Sequence, residues 1–282
     1  MMVLEAKPLA RKIEASLKDR INSLDRLGKK PKLVAVSYKP DPSAKAYLES
    51  QARVARRLGI TYEIVEPGQE DEASYIETIQ KINDDPSIDG AIIMTPLPEG
   101  VSEERVRIAL SPVKDVEGVT PQNLGALFYE NEFMPPCTAE ATLRLAEYYG
   151  IDFTGKNTVV VGRSVVVGKP LAMMLLKKSR SATVTVCHTR TKDLTSFTRN
   201  ADILIVAAGK PGLIKREHVK EGAVVLDVGI NAVDCRIVGD VDLESVKDLV
   251  SAISPVPGGV GTITTFVLME HVVKSAEMVI RS

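Results

Sequence analysis

The apolar positions of the chain follow two spacings, one typical of helices and the other typical of strands. From Pro8 to Leu27 they recur every three or four residues among charged side chains, which predicts an amphipathic surface helix. The next apolar run, Lys32 to Ser37, is short and predicts a strand. The elements predicted after it are a helix over 44–58, a strand over 61–65, a helix over 72–83 and a strand over 90–94. Strands that alternate with helices in this way predict a parallel sheet covered on both faces.

The second half of the chain repeats this alternation. A helix over 139–149 leads to a β-branched run that ends at Val161. Four more apolar runs follow at separations typical of βα units, over 183–187, 202–207, 223–228 and 251–254. Residues 139–261 are therefore predicted to form a second α/β domain.

The length of 282 residues suits two domains of ordinary size. The stretch over 119–138 contains Pro, Asn and Gly and is predicted to be the linker between them. The final run lacks Gly and Pro and has a helical period, so we assign 262–282 together with 1–118 to the first domain.

A glycine-containing turn follows the β-branched run of the second domain. Gly162, Arg163 and Ser164 begin the turn, and Gly168 and Pro170 lead into a helix-forming run. The free N–H groups and positive dipole end of a helix N-terminus suit a phosphate group, and we assign Ser164 to that binding. The turn differs from the G-x-G-x-x-G pattern, so an ordinary βα turn stays an open alternative at this point.

The residues after the next predicted strand indicate which dinucleotide would bind. His188, Thr189 and Arg190 stand where an NAD site usually holds an acidic residue on the ribose hydroxyls, and the first acid comes at Asp193. Basic residues at this place accommodate a 2′-phosphate, and Arg163 in the first turn adds another positive charge. We therefore predict that the cofactor is NADP. The alternative is a solvated basic loop.

Two further strands run into glycine, and their ends carry Gly209 and Ile230. Strand C-terminal ends line the ligand crevice of an open α/β sheet, so we expect both residues beside the cofactor. The loop after the last strand contains Pro257, Gly258 and Gly259. It is either an interdomain hinge or a wall that presents backbone donors to substrate, and the two interpretations are compatible.

The net charge of −1 gives no electrostatic reason to expect nucleic acid or a membrane surface as a partner. The apolar runs are too short to span a bilayer, and the N-terminus lacks a signal-peptide pattern, so we expect a cytoplasmic protein. Cys137, Cys187 and Cys235 are odd in number and widely spaced, which favours reduced, individually buried thiols. No motif in the sequence predicts a bound metal.

The chain as a whole resembles the methylenetetrahydrofolate dehydrogenase/cyclohydrolase family. The matching motifs run in family order over nearly the whole sequence: Tyr47, Pro96-Leu97-Pro98, Lys114-Asp115-Val116 with Gly118, Pro136-Cys137-Thr138, Gly162-Arg163-Ser164 with Val167 to Pro170, Asp227 to Asn231, and Pro255 to Gly261. The resemblance implies two α/β domains with a cleft between them, of which the first is catalytic and binds folate and the second is a Rossmann-like NADP-binding domain. It also implies a homodimer, a tetrahydrofolate substrate, and Pro257 to Gly259 at the substrate.

Three positions depart from the family pattern where the resemblance places the reaction. The family has a lysine four residues after the tyrosine, and this chain has Gln51. The family glutamine before Pro-Leu-Pro is replaced by Met94, and the second acid of Lys-Asp-Val-Asp-Gly is Glu117. By this resemblance Tyr47, Gln51 and Glu117 occupy the catalytic positions, and Tyr47, Met94 and Glu117 would contact the folate.

Family members oxidise 5,10-methylenetetrahydrofolate to 5,10-methenyltetrahydrofolate and hydrolyse that product to 10-formyltetrahydrofolate. Hydride transfer needs positioning, whereas hydrolysis needs a group that exchanges protons near neutral pH, which glutamine cannot do. We therefore expect the oxidation to occur, and the hydrolysis to be weak, absent or carried by a group other than Gln51. The alternatives left open are a bifunctional enzyme with a relocated general base and an NADP-binding protein with an inactive folate site. A shikimate-type dehydrogenase would need a catalytic Lys–Asp pair that the sequence does not place.

Overall fold

The computed structural model describes residues 1–40, 42–234 and 236–281. These residues pack as two compact units, each built from three segments of the chain. The six-stranded unit consists of Met1–Arg11, Leu127–Asn131 and Thr138–Thr264. The three-stranded unit consists of Lys12–Ala126, Glu132–Cys137 and Thr265–Ser282, of which Ser282 lies outside the described residues.

Strands and helices alternate along both units. In chain order the elements are β1 (Met2–Val3), α1 (Ala6–Arg26), β2 (Lys32–Val36), α2 (Pro42–Leu58), β3 (Thr61–Val65), α3 (Glu72–Asp84), β4 (Gly90–Ile93), α4 (Glu103–Ala109), α5 (Pro121–Ala126), a 3-10 turn (Leu127–Tyr129), α6 (Cys137–Tyr148), β5 (Asn157–Val161), α7 (Gly168–Leu176), β6 (Thr183–Cys187), α8 (Leu194–Thr198), β7 (Ile203–Val206), a 3-10 turn (Arg216–His218), β8 (Val224–Asp227), β9 (Asn231–Val233), β10 (Arg236–Val238), α9 (Leu243–Val246), β11 (Ala252–Ile253) and α10 (Val260–Arg281).

The three-stranded unit is built on a parallel sheet in the order β3-β2-β4. The central strand β2 is covered on both faces, since Leu33 and Val34 are both fully buried. One face packs against α3 through Tyr75 and Ile79. Continuous burial of the central strand explains why its sequence is an unbroken apolar run rather than an alternating one.

The six-stranded unit has a parallel sheet in the order β1-β11-β8-β7-β5-β6. The chain leaves β5 for β6 on one side and then returns to place β7 on the other side of β5. This reversal puts a topological switch point between β5 and β7, where open α/β sheets bind ligands outside the carboxyl ends of the strands. The fold therefore directs attention to the loops that follow these strands.

The predicted α/β class with two parallel-sheet regions is confirmed. Each of the eight predicted strands is present: the run ending at Val161 is β5, and the runs at 32–37, 61–65, 90–94, 183–187, 202–207, 223–228 and 251–254 match strands within two residues of the expected bounds. The helix after the glycine turn begins at Gly168, earlier than expected. The features that were not predicted include β1, which pairs with β11 and so brings the first residues into the six-stranded unit, and the antiparallel hairpin of β9 and β10. The proposed domain boundaries stay a prediction.

Two of the predicted buried thiols are confirmed. Cys137 and Cys187 are both buried, and burial raises the pKa of the Cys187 thiol. Cys235 lies outside the described residues. Among the described helices, none is long and apolar enough to cross a membrane.

Candidate active site

The carboxyl ends of four adjacent strands bring the predicted cofactor residues to one edge of the six-stranded sheet. Gly162 to Ser164 follow β5, and His188 to Arg190 follow β6, which pairs with β5 in register. Gly209 follows β7 and Ile230 follows β8. Because all these strands are parallel, the residues predicted from four separate sequence stretches lie along a single edge.

The glycine turn after β5 is shaped by close backbone approaches. Gly162 has φ +133°, and a side-chain carbon there would overlap the carbonyl of Ala207, which follows the neighbouring strand β7. A side-chain carbon at Gly168 would in turn overlap the Gly162 carbonyl. Only glycine fits either position, so the turn stays tight and α7 begins immediately behind it.

The first turn of α7 is partly satisfied within the protein, because the Lys169 backbone N–H donates to the Ser164 carbonyl at 3.1 Å and Pro170 has no N–H. Its N-cap residue, Val167, makes no side-chain capping hydrogen bond. The Ser164 hydroxyl oxygen accepts from the Val167 backbone N–H at 3.1 Å, which leaves the hydroxyl proton of Ser164 for another acceptor. A glycine turn with exposed Arg163 and Ser164 in front of a helix N-terminus fits a phosphate group.

The turn after β6 holds His188 in one tautomer. Its Nδ1 accepts from the Arg190 backbone N–H at 3.1 Å, so that nitrogen carries no proton. The His188 backbone N–H donates to the Thr191 hydroxyl at 2.8 Å. His188 therefore acts as a cap for its own turn, and the turn presents Thr189 and Arg190 exposed to solvent. An exposed guanidinium at this place fits a 2′-phosphate.

The loop after β11 contains the predicted residues Pro257, Gly258 and Gly259. Gly258 has φ +99°, and its carbonyl accepts from the Ala6 backbone N–H at 2.9 Å. A side-chain carbon at Gly259 would overlap the Pro255 carbonyl. These residues belong to the six-stranded unit, whereas the remaining predicted substrate residues belong to the three-stranded unit.

In the three-stranded unit, Tyr47 and Gln51 lie one turn apart on α2. Gln51 is only 1% exposed, and its Oε1 accepts from the Tyr62 hydroxyl at 2.9 Å. Burial raises the pKa of Tyr47 to about 12, and a hydrogen bond with Gln51 opposes that rise by favouring the phenolate form. The Gln51 amide therefore donates to Tyr47 and accepts from Tyr62, which fixes its orientation between two phenols.

Glu117 is a titratable side chain that lies near Arg107. Burial raises the pKa of Glu117 to about 7, against the attraction of Arg107, whose Nη1 lies 3.7 Å from the carboxylate. The Ile93 backbone also hydrogen-bonds to this carboxylate. The charge of Glu117 also contributes to the raised pKa of Tyr47.

The segment before Glu117 is held along the free edge of β4. The Ala91 backbone N–H donates to the Lys114 carbonyl at 2.7 Å. Asp115 is 1% exposed, and its carboxylate accepts from the backbone N–H groups of Gly118 and Thr120 at 3.0 and 2.7 Å. This buried carboxylate closes the turn in which Glu117 sits, so the first acid of the motif is structural and the second faces the site.

Met94 follows β4 directly, and its backbone N–H donates to the Val36 carbonyl at 3.0 Å. Its side chain is partly buried. The structure thus places Met94 at the carboxyl edge of the small sheet, where the resemblance expects a substrate contact.

Sequence reasoning missed two residues of this region. Tyr62 lies on β3, and its hydroxyl hydrogen-bonds to Gln51 on α2. No sequence motif predicts this contact between two elements. Lys114 was taken as part of a motif, but its Nζ donates to the carbonyls of Ile82, Asn83 and Asp85 at 2.6, 2.9 and 2.7 Å, so it caps the end of α3. Lys114 lies 32 residues from Ile82 along the chain, so no local sequence signal indicated that role.

A parallel sheet with a glycine turn, a helix N-terminus and exposed arginines at one edge defines a dinucleotide-binding protein of the α/β class. The family models agree with this and divide the chain in two. The catalytic domain of tetrahydrofolate dehydrogenase/cyclohydrolase matches residues 4–117, and the NAD(P)-binding domain of the same family matches residues 136–280. The chain belongs to the tetrahydrofolate dehydrogenase/cyclohydrolase family.

Full-length relatives support this membership. A protein of Thermosipho africanus named bifunctional protein FolD is 52% identical over 276 residues, 98% of both chains. The crystal structure of the bifunctional enzyme FolD from Campylobacter jejuni superposes with a TM-score of 0.94 at 38% identity over 99% of both chains. The Trypanosoma brucei enzyme, solved with NADP and an inhibitor, superposes with a TM-score of 0.94 at 29% identity over 100% of this chain and 99% of that one.

Proposed function

We propose that this protein is an NADP-dependent methylenetetrahydrofolate dehydrogenase whose hydrolytic activity is limited by the residue at position 51. The family and the NADP-bound relative support the oxidation and the cofactor. The observation that carries the second part is the buried Gln51 amide, held between Tyr47 and Tyr62 at a place where hydrolysis needs a titratable group.

The proposal assigns the two ligands to different parts of the chain. Residues 139–261 are assigned to NADP, and residues 1–118 with 262–282 to folate; the family model of the NAD(P)-binding domain spans 136–280 and that of the catalytic domain spans 4–117. The phosphates are assigned to the Gly162 turn and the 2′-phosphate to Arg163 and Arg190. Bound NADP would supply a nicotinamide ring that accepts a hydride from the bridging methylene of the substrate.

Oxidation makes modest demands on the protein. Once the hydride has left, the cation is stabilised by the two nitrogens of the substrate, so no side chain has to remove a proton. Tyr47, with its pKa raised to about 12, stays protonated and can donate a hydrogen bond or stack on the folate. Glu117 is assigned to the amino and ring N–H groups of the pterin. Only the ionised carboxylate has two acceptor oxygens to accept from both donors at once. These roles position the substrate.

Hydrolysis makes a different demand. Water adds to the methenyl carbon and loses a proton, and the bond from that carbon to a ring nitrogen breaks as the nitrogen gains a proton. Gln51 can orient a water molecule, but it cannot take up or release either proton. The neighbouring tyrosines are held protonated by burial, which raises the pKa of both Tyr47 and Tyr62.

Three lysines of the three-stranded unit, Lys39, Lys45 and Lys114, do not supply the missing group. Lys39 is exposed, its Nζ lies 4.8 Å from the centre of the Tyr38 ring, and that contact raises its pKa, so it stays charged at neutral pH. Burial lowers the pKa of Lys114, but its ammonium donates to three carbonyls at the end of α3. Lys45 is exposed on α2, two residues from Tyr47.

One observation favours the second candidate function, a fully bifunctional enzyme with a relocated base. The pKa of Glu117 is raised to about 7, which suits proton exchange near neutral pH, and the charge of Glu117 acts on Tyr47. In that case Glu117 would take the proton from the attacking water. The two candidates agree on the oxidation and differ only on hydrolysis.

The deciding experiment supplies methylenetetrahydrofolate and NADP and follows NADPH and the methenyl product separately. We expect NADPH to form and the methenyl product to decay no faster than in an enzyme-free control. Rapid, enzyme-dependent conversion to formyltetrahydrofolate would overturn the proposed limit on hydrolysis. Failure to form NADPH would overturn the dehydrogenase itself and leave the protein with an inactive folate site.

Three variants then assign the proton transfer. Gln51→Lys should raise hydrolysis, while Tyr62→Phe, which removes the same hydrogen bond to Gln51 without adding an amine, should not. If Glu117 is the relocated base, Gln51→Lys changes hydrolysis little, and Glu117→Gln lowers the ratio of hydrolysis to oxidation. That ratio is informative because both reactions use the same pterin contacts.

The family resemblance also supports a cytoplasmic homodimer. Sedimentation of the purified protein tests the oligomeric part, and a single species with the mass of one chain would contradict it.

A further inference from the structure

A buried carboxylate lies beneath the loop that follows β7. Asp240 is completely buried, and its two oxygens accept from the successive backbone N–H groups of Ala208, Gly209 and Lys210 at 2.6, 2.9 and 2.8 Å. Hydrogen bonds from backbone N–H groups to an ionised carboxylate are among the stronger ones in proteins. The conformation of the loop that carries Gly209 is therefore set by a residue 30 positions further along the chain.

The same carboxylate reaches the loop that follows β8. The side-chain Nδ2 of Asn231 donates to Oδ1 of Asp240 at 2.9 Å, and Asn231 is the residue directly after Ile230. One side chain thus connects the two loops on which the predicted cofactor residues Gly209 and Ile230 lie. Ile230 itself is 62% exposed, so its position depends on the backbone beneath it.

A second carboxylate fixes the first. Asp227, at the end of β8, accepts from the backbone N–H groups of Gly229, Asp240 and Val241 at 3.0, 3.1 and 3.0 Å. It holds the backbone from which the Asp240 side chain projects. The acid at the strand end and the acid beneath the loops therefore form a single buried support.

Two glycines are required by this close packing. A side-chain carbon at Gly229 would overlap the Asp240 carboxylate, and one at Gly239 would overlap the Asp227 carboxylate. Neither glycine has a positive φ, so close approach, not backbone conformation, is the reason for them. Gly229, the glycine at the end of β8, is thus explained by contact with Asp240.

These hydrogen bonds also decide what the β7 loop offers to a ligand. The N–H groups of Ala208, Gly209 and Lys210 are directed at Asp240 and are used there. The loop is left with its carbonyl oxygens and the flat surface of its glycine for a bound ring. A loop without this support would be free to turn its N–H groups outward and change that surface.

We propose that Asp240 is a positioning residue for cofactor binding, which sets the spacing and orientation of the loops carrying Gly209 and Ile230. The inference rests on the proposed NADP site at this edge of the sheet. Asp240 does not contact the cofactor; it acts through the loops, and its loss should weaken NADP binding more than folate binding.

The test compares Asp240→Asn with Asp242→Asn. The asparagine side chain in Asp240→Asn has nearly the same shape as aspartate, but an NH2 group replaces one of its two acceptor oxygens. This NH2 group faces N–H donors, so at least one loop loses its acceptor. The second removes a charge two residues away, where the side chain caps α9 by accepting from the Ser245 backbone N–H at 3.3 Å. NADPH affinity is measured by fluorescence titration and folate affinity by calorimetry, well below the unfolding temperature of each variant.

We expect Asp240→Asn to weaken NADPH binding about tenfold or more, because a lost charge-assisted hydrogen bond is worth about that factor, and to leave folate affinity within about twofold. Asp242→Asn should leave both affinities unchanged. Wild-type NADPH affinity in a folded Asp240→Asn protein would overturn the proposal. A parallel loss of both affinities would also overturn it, since that pattern indicates general destabilisation.

A milder variant covers the case in which Asp240→Asn does not fold. Asn231→Ala removes one of the four donors to Asp240 and keeps the three backbone ones. We expect about a threefold loss of NADPH affinity, a fraction of the value of one hydrogen bond. An unchanged affinity would contradict the coupling of the two loops. A wild-type protein that binds no NADPH would instead refute the proposed cofactor site.

Discussion

If Glu117 binds the pterin as proposed, its raised pKa should make folate binding depend on pH within the physiological range. A group with a pKa of about 7 is about one tenth ionised one pH unit below that value and about nine tenths ionised one unit above it. If only the carboxylate binds the pterin donors, kcat/KM for methylenetetrahydrofolate should rise about tenfold from about pH 6 to about pH 8. The inflection in kcat/KM reports the free enzyme, so it should lie near 7, whereas kcat, which reports the complex, should level off at lower pH.

The assay is the initial rate of NADPH formation at saturating NADP across this pH range. Glu117→Gln is the essential comparison, because it keeps the size and one acceptor oxygen of the side chain but does not titrate. We expect its kcat/KM to be about ten- to a hundredfold lower at high pH, as expected for a lost charge-assisted contact, and to be flat after the substrate's own ionisation is allowed for. The same inflection in wild type and variant would refute the role of Glu117.

The same pKa has a consequence for the stability of the protein without ligands. The folded-state pKa of Glu117 lies above its ordinary value of 4.5, so between these values the folded protein binds more protons than the unfolded chain. Stability should then fall as pH rises through this window, by about 2–3 kcal/mol in total. Urea unfolding at about pH 5 and about pH 8 measures the change, and a difference equally large in Glu117→Gln would assign it to other groups.

Two further substitutions have outcomes that the structure determines. Lys114→Met leaves the three carbonyls at the end of α3 without their donor and should lower the free energy of unfolding by about 2–4 kcal/mol. The control is Lys81→Met, which removes an exposed ion pair on α3 and should change this free energy by less than about 0.5 kcal/mol. Equal losses of the two variants in urea unfolding would contradict the cap. Arg190→Ala should raise KM for NADP about tenfold or more and leave KM for NAD unchanged. The control, Arg199→Ala, lies beyond α8 and should affect neither KM value. A parallel rise in both KM values for Arg190→Ala would show that Arg190 does not bind the 2′-phosphate.

The buried strands could be predicted from the sequence because burial on both faces leaves a continuous apolar signal. The run ending at Val161 and the runs within 202–207 and 223–228 all correspond to strands of the six-stranded sheet, and their order along the chain placed the cofactor residues at strand ends. The strand Met2–Val3 could not be predicted in the same way. It is two residues long and exposed, and its pairing with 252–253 is a contact between the two ends of the unit.

The residues that support the site could not be predicted from the sequence, for a related reason. Asp240, Tyr62 and Lys114 each hydrogen-bond to residues that come close only in the folded chain. The sequence around a single Asp, Tyr or Lys does not indicate which distant residue it will contact. The resemblance found the positions at which substrate chemistry is expected, including Gln51. It did not indicate what holds Gln51 in place, because Tyr62 lies outside the quoted motifs.

The identity of residue 51 and the protonation of Glu117 are connected through Tyr47. Tyr47 hydrogen-bonds to Gln51 and is influenced by the charge of Glu117, so we expect a cation at position 51 to act on that carboxylate as well. The attraction that now opposes the raised pKa of Glu117 comes chiefly from Arg107, at 3.7 Å, and Arg107 also pairs with Glu103 at 2.8 Å. A lysine at 51 would add a second positive charge and lower the pKa of Glu117. Gln51→Lys should therefore move the inflection in kcat/KM to lower pH; an unmoved inflection would mean that burial alone, and not the absent ammonium, sets the protonation of Glu117.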